Sequence, residues 1–344
     1  MKTIVIHAAK DLRIEERKAE MPGPGQVSVK LATGGICGSD LHYYNHGGFG
    51  TIRLKEPMIL GHEVAGTIAA LGAGTPGFAI GERVAVSPSR PCSKCEYCLK
   101  GQQNQCLDMR FYGSAMRMPH VQGAFRQRLV AAAFQCHKIA DGVSINEAAF
   151  AEPFAVTLHA VNRAGSLLGK RVLVTGCGPI GALCILAARA HGAKEIIATD
   201  VMDGVLKLAA RIGADRTINV AEHPEQLSDY AANKGSVDVM FEASGNERAL
   251  RAGLEVLRPR GILMQLGLGG DMSIPQNVIV AKEIEIRGSF RFHEEFALAV
   301  DLINRRRVDV TPLLTDVFDM KDAVKAFETA NDRSRSMKVQ LSFA

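Results

Sequence analysis

The hydrophobic pattern changes character about halfway along the chain. In the first half, apolar residues come in short Val- and Ile-rich runs interrupted by glycine and proline, at 2–7, 26–31, 64–72 and 81–86. Short runs of this kind between turn residues are typical of β-strands. A short helix is predicted from Asp40 onward, with Ser39 or Asp40 as its cap. The first half therefore predicts a compact, glycine-rich β domain.

From Lys170 onward the pattern predicts alternating strands and helices. An Ala- and Leu-rich helix runs to His191, and another helix is predicted over 247–257. The predicted strands are largely apolar and lie at 171–175, 195–200, 238–243, 261–267 and 283–288. Continuous apolar strands separated by helices indicate a parallel sheet that is covered on both faces.

The chain length also argues for two domains, since 344 residues exceed what one typical core accommodates. Helical spacing over 146–161 leads into the second pattern, and a helix at 322–331 and a strand at 339–343 follow it. We therefore predict three segments. The β domain covers 1–154, the parallel-sheet domain covers 155–290, and 291–344 returns to the first domain.

A glycine-rich turn joins the strand at 171–175 to the helix that follows it. Its sequence is Gly176-Cys177-Gly178-Pro179-Ile180-Gly181. Asp200 ends the next strand, where the dinucleotide fingerprint places an acid. The turn amides and the helix N-terminus would hold a pyrophosphate. Asp200 would bind the ribose hydroxyls and repel a 2′-phosphate, so we expect NAD rather than NADP.

Four cysteines lie close together in a polar stretch of the β domain. Their spacing is C-x2-C-x2-C-x7-C, at Cys92, Cys95, Cys98 and Cys106. Four thiolates can close a tetrahedral shell with no open position, which predicts a structural zinc site. The ligand type also permits an iron–sulfur cluster, although nothing else in the sequence suggests electron transfer.

A second set of metal-binding residue types is spread widely along the chain. Cys37 and His62 each lie in a glycine-rich turn, and Glu152 is a candidate for a third ligand. Thiolate, imidazole and carboxylate groups suit zinc, and three protein ligands leave one position for water or substrate. The alternative is that these residues are a buried cysteine and ordinary turn residues.

Composition excludes several other classes of protein. The net charge is only +5, the hydrophobic share is 47%, and no long Lys/Arg run occurs, so we expect no nucleic-acid partner. The longest apolar stretches fall short of a membrane span. The N-terminus does not resemble a signal peptide. We expect a cytoplasmic protein whose eight cysteines serve as free thiols and metal ligands.

These motifs, in this order, resemble the medium-chain zinc-dependent alcohol and polyol dehydrogenases over the whole chain. The resemblance implies an α/β protein with a GroES-like β catalytic domain and a Rossmann domain with a doubly wound parallel sheet. It implies that Glu63 approaches a catalytic zinc beside Cys37 and His62, and that Glu152 replaces a cysteine ligand. It also implies that Ser39 touches the substrate oxygen and that His42 ends a proton relay.

Within that family, the segments 108–116 and 288–292 resemble the branch that acts on polyols and sugar acids. We expect hydride transfer between NAD and a secondary alcohol of a sugar acid, with zinc as the Lewis acid. Arg110 and Arg291 are candidates for binding the substrate carboxylate, and Tyr43 either bonds a substrate hydroxyl or packs. The proton leaves through Ser39 or through a water linked to Glu152.

The alternatives are a neutral polyol or L-threonine as substrate, and a nucleotide-binding protein without catalysis. The last alternative predicts loss of the zinc ligands, which are all present. We also expect a homodimer or a homotetramer, because the strand at 283–288 could pair across a two-fold axis.

Overall fold

The computed structural model describes residues 1–343. Ala344, at the end of the predicted return segment, lies outside the described residues. In chain order the strands are β1 (Lys2–Ala8), β2 (Asp11–Glu16), β3 (Gln26–Gly35), β4 (Gly48–Phe49), β5 (Ile52–Arg53), β6 (Met58–Ile59), β7 (Glu63–Leu71), β8 (Arg83–Val86), β9 (Ser89–Arg90), β10 (Arg110–Phe111), β11 (Arg128–Ala132), β12 (Cys136–Lys138), β13 (Arg171–Thr175), β14 (Glu195–Asp200), β15 (Arg216–Asn219), β16 (Val237–Glu242), β17 (Leu257–Gln265), β18 (Glu285–Gly288), β19 (Leu314–Asp319) and β20 (Lys338–Ser342).

The α-helices are α1 (Gly38–His46), α2 (Glu96–Leu99), α3 (Ile145–Ala148), α4 (Ala151–Ala164), α5 (Pro179–Ala190), α6 (Asp203–Arg211), α7 (Glu225–Ser228), α8 (Glu247–Val256), α9 (Gln276–Lys282), α10 (Glu295–Asn304) and α11 (Ala323–Asn331). Short 3₁₀ turns occur at Gln103–Gln105, Ala133–Gln135, Asp229–Lys234, Thr311–Leu313 and Met320–Asp322. Among residues 1–343, no helix is both long enough and apolar enough to cross a membrane.

The chain forms two compact units. The first contains Met1–Glu152, Phe296–Arg306 and Leu314–Ala344, and the second contains Pro153–Glu295 and Arg307–Leu313. The domain limits expected from the sequence, 154 and 290, lie near these divisions and stay our proposal. The sequence division did not anticipate that Arg307–Leu313 would group with the second unit.

The first unit is built on a mainly antiparallel sheet with the strand order β12-β8-β7-β3-β20-β19, in which only β19 and β20 pair in parallel among the described residues. Strand β11 pairs with β3 beyond the end of the pairing of β3 with β20. A smaller sheet has the order β2-β1-β6. The long central strand β3 lies between β7 and β20, although β20 comes from the C-terminal end of the chain. This arrangement brings the C-terminal segment beside the first loops of the chain. One apolar core, which includes Val29, Ile68, Phe125 and Leu341, holds these strands together.

The helix predicted over 146–161 is two helices, α3 and α4. Ser144 caps α3, because its hydroxyl accepts the Glu147 N–H at 3.2 Å and the Glu147 carboxylate accepts the Ser144 N–H. One continuous helix would press the ring of Pro153 against the carbonyl of Ala149. The chain instead restarts at Ala151, where Pro153 lies in the first turn of α4.

The second unit contains a six-stranded parallel sheet with the order β15-β14-β13-β16-β17-β18. Strands β13, β14 and β15 extend in one direction from β13, and β16, β17 and β18 extend in the other. The strand order therefore reverses between β13 and β16. The central strands are buried, whereas β18 is an edge strand with largely exposed side chains. This is the doubly wound sheet that the sequence predicts.

Candidate active site

Three side chains with metal-binding atoms meet at one end of the antiparallel sheet. The ligand atoms of Cys37, His62 and Glu63 all lie within 4.8 Å of one another. Cys37 follows β3 and caps α1, while Glu63 begins β7. Strands β3 and β7 are hydrogen-bonded neighbours in which Gly35 pairs with Glu63, so the loops at their ends meet. The pairing of two strands thus assembles ligands that are far apart in sequence.

The donor atoms of this cluster fit a bound metal ion. His62 Nδ1 and Glu63 Oε2 are buried and form no hydrogen bond within residues 1–343. Burial, assisted by the Glu63 carboxylate, raises the pKa of the Cys37 thiol to about 12. Buried polar atoms that lack a hydrogen bond are costly unless something binds them. The set therefore suits zinc, which would be held by thiolate, imidazole and carboxylate groups.

Asp40, which the sequence analysis considered only as a helix cap, ties two ligand loops together. Its carboxylate accepts the N–H of Cys37 at 3.0 Å and the N–H of Gly61 at 3.0 Å. It is fully buried, and burial raises its pKa. Gly61 has φ +89°, and a Cβ there would strike the Phe125 ring at 2.1 Å. Asp40 thus positions the turn that carries His62.

Lys338, which the sequence analysis missed, is the cation at this cluster. It is only 4% exposed, and its Nζ lies 2.6 Å from both oxygens of Glu63. Lys338 Nζ donates its hydrogen bond to Glu63 Oε1, whereas Glu63 Oε2 takes part only in the ion pair. Nζ also donates to the Ile36 carbonyl at 3.1 Å. Burial acts to lower the pKa of Lys338, but the charges of Glu63 and Cys37 outweigh it and the pKa is raised.

Glu152 lies in the first turn of α4 and is 5% exposed. Its carboxylate does not belong to the cluster of Cys37, His62 and Glu63 whose ligand atoms lie within 4.8 Å. It is still close enough to interact with all three electrostatically. Burial raises the pKa of Glu152 to about 8, while His62 acts in the opposite direction. The structure therefore places Glu63, rather than Glu152, in the tight group, with Glu152 as a nearby carboxylate.

The four cysteines at 92, 95, 98 and 106 form the second cluster, and their Sγ atoms also lie within 4.8 Å of one another. Backbone amides stabilise the thiolates, since Cys95 N–H donates to Cys92 Sγ at 3.3 Å and Asp108 N–H donates to Cys106 Sγ at 3.3 Å. The amides of Cys98 and Leu107 lower the pKa of Cys95 to about 6. All eight cysteines of the chain are free of disulfides. The cluster suits a closed zinc shell.

The candidate proton-transfer residues lie on α1. Ser39 and His42 are three residues apart, so they share one helix face, and both are partly exposed. Burial lowers the pKa of His42, and its ring packs 5.6 Å from Phe49. Tyr43 is fully buried, and its hydroxyl accepts the Ala115 N–H at 2.9 Å. This geometry favours packing for Tyr43 over a substrate contact.

The two candidate carboxylate-binding arginines lie in different units. Arg110 is exposed on β10, directly opposite Arg90 of β9, and no carboxylate in residues 1–343 forms an ion pair with it. The next residue, Phe111, is buried and packs 5.5 Å from the His62 ring. Arg291 lies in the second unit with φ +55°, and its guanidinium stacks 4.9 Å from the Phe290 ring. Its contact with substrate stays a prediction.

The glycine-rich turn of the second unit has space for a ligand. A Cβ at Gly178 would meet nothing within 4 Å, whereas a Cβ at Gly181 would lie 1.8 Å from the Gly176 carbonyl oxygen. Gly178 caps α5 without a side-chain bond, and Pro179 begins the helix. The free amides at 180 and 181 and the open face above Gly178 fit the pyrophosphate of a dinucleotide.

Asp200 is already engaged with the backbone. One carboxylate oxygen accepts the Cys177 N–H at 2.7 Å, and the other accepts the N–H groups of Val201 at 2.7 Å and Met202 at 3.1 Å. The side chain is partly exposed at the carboxyl end of β14. Asp200 thus fixes the glycine-rich turn in addition to its predicted contact with a ribose.

Family models match both halves of the chain. The alcohol dehydrogenase GroES-like domain matches residues 23–141, and the zinc-binding dehydrogenase model matches residues 179–305. The chain belongs to the zinc-dependent medium-chain alcohol and polyol dehydrogenase family. It is an oxidoreductase that acts on CH–OH donors and uses zinc and NAD, which confirms the predicted class and fold. The preference for NAD over NADP stays a prediction.

Among individual relatives, L-idonate 5-dehydrogenase (NAD(P)(+)) of Escherichia coli is 40% identical over 340 residues, 98% of each chain. A crystal structure of L-idonate 5-dehydrogenase from the same species has a TM-score of 0.95 at 39% identity, covering 99% of this chain and 97% of that one. Sorbitol dehydrogenase of Gallus gallus is 35% identical over 344 residues, 98% of this chain and 95% of that protein.

Proposed function

We propose that this protein oxidises L-idonate at C5 to 5-keto-D-gluconate with NAD, and that it catalyses the reverse reaction. The similarity to the L-idonate enzyme over nearly the full length of both chains carries this proposal. The cluster of Cys37, His62 and Glu63 supports it with a donor set that suits a catalytic metal. When bound, zinc supplies a Lewis acid for the hydroxyl group and NAD supplies the hydride acceptor.

The residues around the cluster take distinct roles in this proposal. Cys37, His62 and Glu63 hold the metal, and Glu152 lies close enough to exchange with Glu63 or to hold a proton. Because burial raises the pKa of Glu152 to about 8, this carboxyl group can accept and release protons near neutral pH. Ser39 orients the substrate hydroxyl, and His42 passes its proton towards solvent from the same face of α1.

Arg110 recognises the substrate carboxylate in this proposal. A sugar acid has its carboxylate several bonds away from the reacting carbon, so the cation must lie outside the metal cluster. Arg110 meets this requirement. The next residue, Phe111, packs on His62, whereas Arg110 lies opposite Arg90 on the neighbouring strand. Two guanidinium groups side by side repel each other, and an anion between them relieves that repulsion.

The test compares initial rates of NADH formation with L-idonate, sorbitol and L-threonine at equal concentrations. We expect L-idonate to be oxidised faster than the other two. Arg110→Ala should lower kcat/KM for L-idonate by about tenfold or more, because a charge-assisted bond to the carboxylate is lost. The same substitution should leave the rate with sorbitol nearly unchanged, since sorbitol has no carboxylate.

Arg128→Ala is the matched control, since Arg128 is an exposed arginine on β11 of the same unit. It should leave both rates unchanged. If wild-type protein prefers sorbitol, the sugar-acid proposal fails while the zinc and NAD chemistry stands. A neutral polyol is then the substrate, which the similarity to the sorbitol dehydrogenase favours.

We also propose a homodimer or a homotetramer located in the cytoplasm. The edge strand β18 offers unpaired backbone groups, and Ile286 on it is 46% exposed. Such an edge can pair with the same strand of a second copy. The free thiols of all eight cysteines support a reducing compartment. Light scattering of the purified protein gives its mass, and a monomer would contradict the assembly proposal.

A further inference from the structure

The second unit contains a buried carboxylate at the point where its strand order reverses. Open parallel sheets bind ligands beyond the carboxyl ends of the strands at such a point, which here lies between β13 and β16. Glu242 is the last residue of β16 and has no exposed surface. Its neighbours in register are Thr175 on β13 and Gln265 on β17, each at the end of its strand.

The Glu242 side chain accepts bonds from the loop that follows its own strand and from the ends of the two neighbouring strands. One oxygen accepts the N–H groups of Ser244 at 2.9 Å and Gly245 at 3.0 Å, and a very short bond from the Ser244 hydroxyl. The Thr175 hydroxyl approaches the same oxygen at 3.4 Å. The other oxygen accepts Gln265 Nε2 at 2.7 Å. A single carboxylate thus links the carboxyl ends of three adjacent strands.

The backbone around Glu242 is packed so tightly that neither Gly176 nor Gly267 has room for a side chain. A Cβ at Gly176 would lie 2.7 Å from the Ser244 Cα, and a Cβ at Gly267 would lie 2.2 Å from the Gly245 nitrogen. The Glu242 carbonyl accepts the N–H of Gly267 at 2.8 Å. The first residue of the glycine-rich turn, Gly176, therefore packs on the loop at 244–245, while Asp200 holds the next residue, Cys177. That loop in turn depends on the Glu242 carboxylate.

We propose that Glu242 is a positioning residue for the dinucleotide, acting through the loop Ser244–Gly245. It does not touch the cofactor, because it is fully buried. Its acceptor oxygens hold the loop against Gly176 and Gly267, which sets the floor of the cleft at the reversal of strand order. The adenine side depends on Asp200 at the end of β14, and within residues 1–343 no hydrogen bond of the Glu242 side chain reaches that strand.

The test is the affinity of the zinc-loaded protein for NADH and for AMP, measured by calorimetry and by NADH fluorescence. Glu242→Gln keeps the shape of the side chain but replaces one acceptor oxygen by an NH2 group. That NH2 group then faces N–H donors and cannot accept their bonds. We expect the Kd for NADH to rise about tenfold, because binding must then order the loops. The Kd for AMP should change less than about twofold, since Asp200 and the turn amides remain.

Asp238→Asn is the matched control, since Asp238 lies at the other end of the same strand. Its carboxylate accepts Arg171 N–H at 2.8 Å and Arg258 Nε at 2.6 Å, so its loss also removes two charge-assisted bonds of this strand. It should lower Tm without changing the Kd for NADH. Gln265→Leu is a second variant in case Glu242→Gln does not fold, and it should raise the Kd for NADH about threefold.

The proposal is overturned if Glu242→Gln, or Gln265→Leu in its place, binds NADH as tightly as wild type. It is also overturned if Asp238→Asn weakens NADH binding to the same extent, because general destabilisation would then explain the effect. An equal loss for AMP and NADH would likewise remove the role of the loop. None of these outcomes depends on which alcohol the enzyme oxidises, so the test stands apart from the proposed substrate.

Discussion

The two clusters of metal-binding side chains differ in how the chain builds them. The four cysteines lie within a segment in which the first and last are 14 residues apart, and turns and amides hold them. The cluster of Cys37, His62 and Glu63 depends on the pairing of β3 with β7 and on Lys338, which is 275 residues from Glu63. The first cluster is local, and the second needs the whole antiparallel sheet.

The clusters also differ in how they compensate charge. In the cysteine cluster, backbone N–H groups point at sulfur atoms, so a closed shell can form without a cation from the protein. In the other cluster, three carboxylates (Asp40, Glu63 and Glu152) and a thiol share a buried space with one ammonium group. An open coordination position suits catalysis, and a closed one suits stability. Removal of the metal from the cluster of Cys37, His62 and Glu63 should therefore mainly lower the rate, whereas removal of the metal from the cysteine cluster should mainly lower Tm.

The largest expected effect is on the rate after loss of the sheet-dependent cluster. His62→Ala removes one ligand, so the metal that activates the hydroxyl is lost and kcat/KM should fall by about a thousandfold or more. The fall in Tm should be small, because His62 Nδ1 forms no hydrogen bond within residues 1–343 that its loss could break. Metal analysis by mass spectrometry should show one zinc per chain instead of two.

Cys95→Ser is the counterpart in the cysteine cluster. It should also leave one zinc per chain, but Tm should fall by several degrees while the remaining folded protein keeps most of its rate. A large loss of rate with little loss of stability would contradict the structural role of this cluster. Equal effects of both substitutions would remove the distinction between the clusters.

The same difference explains what the sequence could predict. Cysteine spacing and the turn from Gly176 to Gly181 are local, so their chemistry is readable before any fold is known. Lys338 lies in no motif, and only the placement of β20 beside β3 brings it to Glu63. Glu242 looked like one more residue of an apolar strand, because its partners come from three separate segments of the chain.

Some local features were misread because a tertiary or steric requirement outweighed the pattern. Helical spacing around Glu152 predicted one helix, but Pro153 forces a restart at Ala151. Ser39 or Asp40 was predicted as the cap of α1, but both lie within that helix. Cys37 occupies the cap position, and the Asp40 carboxylate binds its N–H. Gly35 shows the same dependence on the fold, since a Cβ there would lie 2.1 Å from Glu63 Oε2.

The next expected effect concerns charge compensation by Lys338. Lys338→Met should destabilise the metal-free protein by about 3 to 5 kcal/mol, because the buried Glu63 carboxylate loses its partner. Zinc brings positive charge to the same carboxylate, so the loss of stability should be smaller in the zinc-loaded protein. Denaturant unfolding with and without zinc measures both values.

Two further variants control this prediction. Glu63→Gln added to Lys338→Met should recover most of the stability of the metal-free protein, since no unpaired carboxylate remains. Lys282→Met removes a lysine whose Nζ, within residues 1–343, bonds only to carbonyls of 254, 255 and 257, so its cost should be the same with and without zinc. Equal costs for Lys338→Met in the two states would show that Lys338 does not compensate the metal cluster.

The smallest expected effect is on the pH dependence of zinc uptake. In the metal-free protein the pKa of Cys37 is raised to about 12 and that of Glu152 to about 8, so both hold protons below pH 8. Zinc binding must release these protons, and affinity should fall about a hundredfold per pH unit as the pH drops below 8. Glu152→Gln removes one of the protons, so the slope should fall to about tenfold per unit.

In the cysteine cluster the pKa of Cys95 is lowered to about 6, so Cys95→Ser should leave the slope above that pH unchanged. Competition with a coloured chelator at a series of pH values measures these slopes, and an unchanged slope in Glu152→Gln would mean that Glu152 gives up no proton when zinc binds.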